Sequence, residues 1–195
     1  MKITKEFLKE KKACTDGYEW WVSNCSKLSN REQIKKLNEH RNDWASWLLV
    51  RVLPYKQRIM YAVFSAEQVI DIYEKKYPDN KKPRLAIEAA KKCIEDPSDK
   101  NKKDAYAAAY AAAAAAADAA YAAAYAAAYA DAADAAAAAA YAAAYADAAD
   151  AAADAADAAA DAAYAAADDA ADAAAARKEM QDKIINYGIS LLEED

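Results

Sequence analysis

Between residues 105 and 176 the chain uses three residue types only: 53 alanines, 11 aspartates and 8 tyrosines. Nothing else in the sequence limits its fold so strongly. Ala loses no side-chain entropy in a helix and buries no polar group. No Gly, Pro, Lys or Arg interrupts the run, so the tract is predicted to be helical almost throughout. As one rod it would reach about 108 Å at 1.5 Å per residue. That is too long for a 195-residue chain, so it must fold back at least once. Bends are expected at Asp131-Ala-Ala-Asp134 and at Asp168-Asp169, because Asp caps helices well and stabilises their interiors poorly.

The larger hydrophobes are concentrated before residue 95, which places the conventional core there. Two Gly and four Pro leave few turn signals, and no β-branched run is long enough for a strand. The fold class is therefore all-α: a helical hairpin core around Pro54 followed by an Ala-rich antiparallel helical bundle. The domain reading is a short helical leader over 1–41 and one helical domain over 42–195 that includes the tract.

The net charge of −6 hides a division, since residues 1–104 hold 23 basic and 16 acidic side chains whereas the tract carries −11. A basic front should attract an acidic rear; the alternative is a basic face for an anionic ligand. The lysines are scattered rather than striped, which argues against nucleic acid. Cys14, Cys25 and Cys93 form an odd set without framework spacing. No secretory signal or apolar run of membrane-spanning length accompanies them, so a reduced, soluble, cytoplasmic protein is expected, with no membrane association. His40 is the sole His and has no short ligand spacing to any cysteine, so neither metal nor cofactor is expected.

Along the front half, Thr4 should cap a helix to Lys12, Asp16-Gly17 should turn the chain, and Ser29 with Glu32 forms a capping-box signature for a helix to His40. Trp44, Trp47, Leu48 and Arg51 share one face of the next helix, which Pro54 ends. A single helix is expected from Tyr55 to Tyr77, then one opened by Pro83, and a last one from Lys178 to Glu194 that packs back on the front half. Within the tract, Asp147, Asp150, Asp154, Asp157, Asp161, Tyr164 and Asp168 step by three and four, one polar stripe that should meet water while the Ala face packs. Tyr121, Tyr125 and Tyr129 form a ladder, and Tyr141 with Tyr145 a shorter one. Such ladders are either core filler or a stacking surface.

Several charged groups stand in apolar settings. Arg51 continues the Trp44/Trp47 face and Glu67 lies among apolar positions on the following helix. Because a buried charge must be paired, the two are expected to be partners or to share a ligand. Arg84 occupies a first helical turn, where a cation is disfavoured; it should pair with Glu88 or, with Arg58, reach an anion. Tyr61 joins this set as a candidate binding residue. No phosphate-cradling Gly loop or nucleophile motif is present.

The segments Asp43-Trp-Ala-Ser-Trp-Leu-Leu-Val-Arg51, Arg58-Ile-Met-Tyr-Ala-Val-Phe-Ser-Ala-Glu67 and Pro83-Arg-Leu-Ala-Ile-Glu-Ala-Ala90 resemble the immunity-protein-five-like family of bacteria and phages, over roughly residues 42 to 176. The resemblance implies an all-helical, non-enzymatic partner that neutralises a toxin or host-defence factor, an immunity or counter-defence role. Its polar motif falls on Arg51, Glu67, Arg84 and Glu88. Asn80 and Lys82 stand where the commonest form has Asp and Arg.

Three functions follow as expectations. A protein inhibitor should show an exposed aromatic or acidic face. A sponge for a small anionic nucleotide-like signal should show Arg51, Arg58 or Arg84 converging with Tyr rings in a concave site. A hydrolase should use Glu67 as general acid or base. The residues expected to bind are Trp44, Trp47, Arg51, Arg58, Tyr61, Glu67, Arg84, Glu88, Tyr121, Tyr125, Tyr141 and Tyr145. Ala-faced helices pack equally well between chains, which allows a homodimer.

Overall fold

A computed structural model describes residues 2–121, 127–145, 149–167 and 170–192, with side chains described except at 116–121, 127–130, 170 and 171. Helices alone make up its regular structure, and no strand occurs among the described residues. The leader forms α1 (Lys5–Glu10), α2 (Thr15–Asn24) and α3 (Asn30–His40). The Thr4 hydroxyl accepts the Phe7 N–H at 3.2 Å, and Ser29 and Glu32 cap α3 reciprocally. Asp16-Gly17 does not turn the chain but lies inside α2. The bend comes earlier, at Lys12, whose φ of 58° lets the Ala13 N–H reach back to the Leu8 carbonyl at 2.9 Å.

Pro54 separates α4 (Asn42–Val52) from α5 (Tyr55–Glu67). The expected helix from Tyr55 to Tyr77 is two helices, with α6 (Ile70–Lys76) distinct from α5. At the junction Gln68 and Val69 bond to the carbonyls of Ser65 and Ala66, three residues back instead of four. This tightening turns both Val69 and Ile70 into the core, each 1% exposed. Next comes α7 (Lys82–Glu95), with Pro83 in its first turn.

The tract and tail supply α8 (Asp99–Tyr121), α9 (Ala127–Ala144), α10 (Ala149–Ala165) and α11 (Ala170–Ser190). The Asp131-Ala-Ala-Asp134 bend is not there, since both residues lie inside α9. Asp168-Asp169 falls between α10 and α11, and the pair itself is outside the described residues. The last helix begins before Lys178 because the final alanines of the tract run directly into it.

The core of the rear half is α9. Ala132, Ala133, Ala135, Ala136, Ala139, Ala140, Ala142 and Ala143 are all fully buried, against α8, α10, α7, α5 and α6. Asp131, Asp134 and Tyr141 recur at three and seven residues, the stripe left over once the methyl faces have packed. The front core is built from large side chains (Tyr61, Tyr73, Leu48, Leu49, Ile59 and Ile87) and closed by Ile184, Ile185 and Ile189 of α11. Phe64 and Tyr187 stack with ring centroids 4.0 Å apart, tying α5 to α11. One hydrophobic cluster thus runs from Ile3 to Leu192.

Gly188 marks the closest approach. A Cβ there would lie 2.3 Å from Leu49 Cδ2 and 2.8 Å from Tyr61 Cδ2, and neither neighbour can yield, because both are fully buried. Gly188→Ala should therefore destabilise the protein by about 2 kcal/mol or more, although Ala gains about 1 kcal/mol in intrinsic helix propensity. Urea unfolding of the two proteins measures this; a variant as stable as the parent would contradict the close contact.

Candidate functional site

Two concave surfaces share α10 as a wall. The first is a cleft of about 420 Å³ between the leader, α4 and α10. Trp21, Leu37, Trp44, Trp47 and Leu48 supply its apolar side, and Asp43, Asp150, Asp154 and Asp157 its acidic side, with Lys12 also on its lining. Trp21 is held by its indole N–H, which donates to Gln33 Oε1 at 2.7 Å. Trp44 takes the Arg41 guanidinium over its ring at 4.8 Å and sits beside Trp20 and His40, themselves stacked at 4.4 Å.

Two of the four carboxylates are already neutralised. Arg41 grips Asp43 through Nε at 2.8 Å and Nη2 at 2.6 Å, which holds that carboxyl below its usual range. Arg51 pairs with Asp150, while its Nη1 donates to the Trp47 carbonyl at 2.9 Å and its guanidinium lies 4.0 Å from the Trp47 ring centroid. Asp154 and Asp157 have no hydrogen-bond or ion-pair partner among the described residues. Burial, then crowding by Asp161, Asp154 and Asp43, pushes the Asp157 carboxyl up to about 6, with Arg177 opposing. Burial and Asp150 push Asp154 upward too.

The second surface is a groove of about 610 Å³ along α8, α9 and α10, floored by Ala109, Ala113, Ala137, Ala138 and Ala158 and edged by Tyr110, Tyr141, Asp134, Asp150 and Asp154. At its edge four exposed tyrosines form one cluster. Tyr141 and Tyr145 lie 4.8 Å apart, and Tyr106 contacts Tyr110, Tyr141 and Tyr145 at 5.8, 6.2 and 5.7 Å between centroids. Tyr110 is 70% exposed. Burial raises Asp134, and burial with Asp161 and Asp134 raises Asp131 to about 6.

The polar positions singled out in the sequence do not converge. Arg51 pairs with Asp150, not Glu67; Glu67 pairs with Lys91 at 2.5 Å instead. Pro54 does separate α4 from α5, but Arg51 lies at the end of α4 facing α10, and Glu67 at the far end of α5 facing α7. Arg84 holds Glu74 by a two-point pair at 3.1 and 2.5 Å and reaches Asp71 at 3.4 Å, leaving Glu88 exposed. The break between α5 and α6 creates this pairing by bringing α6 across the first turn of α7. Arg58 donates to the Val50 and Leu53 carbonyls at 2.9 and 3.2 Å, closing the C-terminal end of α4. Tyr61 is fully buried, with its hydroxyl 3.2 Å from Ser46 Oγ, and is core. None of Arg51, Arg58 and Arg84 lines either concavity.

Trp44 and Trp47 do line a cleft, and Tyr141 and Tyr145 are exposed rather than core filler. The side chains of Tyr121, Tyr125 and Tyr129 lie outside the described residues. Tyr106 and Tyr110 are absent from the expected set, although their i, i+4 spacing repeats that of Tyr141 and Tyr145. On α10 the aspartate stripe meets water at Asp150 and Asp154, whereas Asp157 is half-buried at the cleft.

The fold and surfaces define a helical bundle with an acidic, aromatic face, and among the described residues no helix is long and apolar enough to cross a membrane. No protein-family model, curated protein or solved structure matches the chain.

The crowded carboxylates make stability depend on pH in a definite sense. An Asp raised in the folded state from 3.8 to about 6 favours folding below about pH 4, and that contribution is lost as pH rises through 6. Asp157→Asn should thus stabilise the protein by about 1–2 kcal/mol at pH 7.5 once screening is allowed for, a rise in Tm of about 2–8 °C. The gain should vanish near pH 4. Thermal melts of both proteins across that range test it, and a gain independent of pH would contradict the crowding.

Proposed function

We propose that the chain is a non-enzymatic binding protein, acting in the cytoplasm of a bacterial host cell, that neutralises a toxin or host-defence protein by covering it. The contact face is the tyrosine–aspartate surface of α8, α9 and α10. The observation that carries this reading is the exposed cluster of Tyr106, Tyr110, Tyr141 and Tyr145 beside Asp134, Asp150 and Asp154. Tyr rings provide large contact area at small conformational cost and are enriched at protein interfaces. The surrounding carboxylates select a partner with a basic surface and speed its approach. The immunity-protein-five-like resemblance of residues 42 to 176 agrees with such a role.

Chemistry favours this reading over the two others. A sponge for an anionic nucleotide-like signal needs cations at the site, but Arg51, Arg58 and Arg84 are engaged elsewhere and both concavities are lined by carboxylates. A hydrolase based on Glu67 needs that carboxylate beside a cavity, whereas it is bound to Lys91 and lines neither.

The tagged protein should capture a basic partner from bacterial lysate at about 0.15 M salt and release it near 1 M, where the Debye length falls from about 8 to 3 Å. The double variant Tyr110→Ala/Tyr141→Ala should lose at least about ten-fold of that affinity. Incubation with a nucleotide panel, followed by heating, should release nothing. Recovery of an intact nucleotide would replace this reading with the sponge, and an altered one with the enzyme.

A further inference from the structure

We propose that the cleft between α2, α4 and α10 is a binding site for a linear aliphatic amine, with Asp154 and Asp157 receiving the ammonium group and Trp44 and Trp47 flanking its methylene chain. This site goes beyond the tyrosine face, which none of the four tyrosines would need to leave for it to fill.

The ligand class follows from what the cleft still lacks. Its volume of about 420 Å³ falls in the range of small-molecule sites, about 300–1,000 Å³. Among its carboxylates Asp43 and Asp150 already have arginine partners. Asp154 and Asp157 stand one turn apart on α10 with none among the described residues, and the lining contributes a single exposed cation, Lys12. A negative site of this kind repels anions and draws a cation.

The opposite wall decides which cation. Trp44 and Trp47 each already hold a guanidinium over the ring, so what they offer a ligand is apolar ring surface that covers an aliphatic stem, which hydrated inorganic ions cannot exploit. Among the described residues no three side chains of metal-ligating type are grouped so as to hold a metal ion. A chain of methylenes ending in an ammonium meets both walls: its charge answers Asp154 and Asp157, and its stem covers apolar surface of Trp44, Trp47 and Leu48. Binding would also offset the repulsion that Asp157 meets from Asp161, Asp154 and Asp43, which adds to its burial.

Cadaverine, followed by calorimetry and tryptophan fluorescence, is the probe. Wild-type protein should bind it saturably, with no binding of the neutral chain 1,6-hexanediol. Asp154→Asn and Asp157→Asn should each weaken binding about ten-fold, while Glu95→Gln, an equal charge change at an exposed position on α7, should leave it unchanged. No saturable binding by wild type would overturn the assignment, as would equal binding of hexanediol. Equal weakening in all three variants would also overturn it, since that marks a diffuse ion atmosphere. Tyr110→Ala/Tyr141→Ala should retain full cadaverine affinity, so failure of the amine site and failure of the tyrosine face read out separately.

Discussion

The structure rests on close approach of methyl surfaces around α9. A helix surrounded by five others must present small side chains nearly all round, because larger ones would hold the axes apart. Eight fully buried alanines do this. Each buries little area, so the stabilisation per residue is modest; it comes from intrinsic helix propensity and from the number of contacts rather than from any large side chain. The front half works the other way, with Tyr61, Tyr73, Trp21 and several Ile and Leu filling volume. It supplies the broad apolar flank, α5 to α7, on which α9 can be enclosed.

Enclosing α9 in methyls dictates where the charge goes. The described Asp and Tyr side chains of the tract take the leftover stripe of their helices, and neighbouring helices bring those stripes together. Asp131 of α9 therefore feels Asp161 of α10, and Asp157 feels Asp43 from the front. Arg51 pairs with Asp150 and Arg177 with Asp161, and the first of these pairs joins the basic front of the chain to its acidic rear. Asp154 and Asp157 have no such partner among the described residues, which leaves that part of the acidic surface unneutralised.

Local signals in the sequence led directly to local structure. The Ser29–Glu32 box, Pro54 and Pro83 place helix ends where the structure has them, because each acts through the few backbone groups beside it. The break after Glu67 left no such mark: nothing in Gln68-Val69 forbids a helix, and only the tertiary demand to bury Val69 and Ile70 together decides it. For the same reason Asp131 and Asp134 misled. Asp is a poor interior residue on average, yet on an outward stripe of a helix otherwise locked by packing its cost is small. The candidate site was legible by residue type and not by pairing. That Arg51 is held in the protein followed from its neighbours Trp44 and Trp47; that its partner lies 99 residues away on α10 depends on how the tract folds back, which 72 positions filled by three residue types cannot specify.

The same reasoning explains why the tract presents uniform surfaces rather than a varied set of side chains. Catalysis needs a few groups held in exact mutual geometry by dissimilar neighbours, and an Ala/Asp/Tyr tract offers little variety from which to build such support. What it offers instead is repetition. Stripes of like side chains, set on rods whose spacing the methyls fix, make extended surfaces with a uniform chemical character. Flat rings and carboxylates spread over α8, α9 and α10 can meet a broad basic surface at many points, each weak, and gain affinity from their number. The front half then adds what the tract lacks: the indoles of α2 and α4 convert one edge of the aspartate stripe from a solvated face into a cleft with two unlike walls. That cleft lies where the two halves of the chain meet, with indoles on one side and carboxylates on the other.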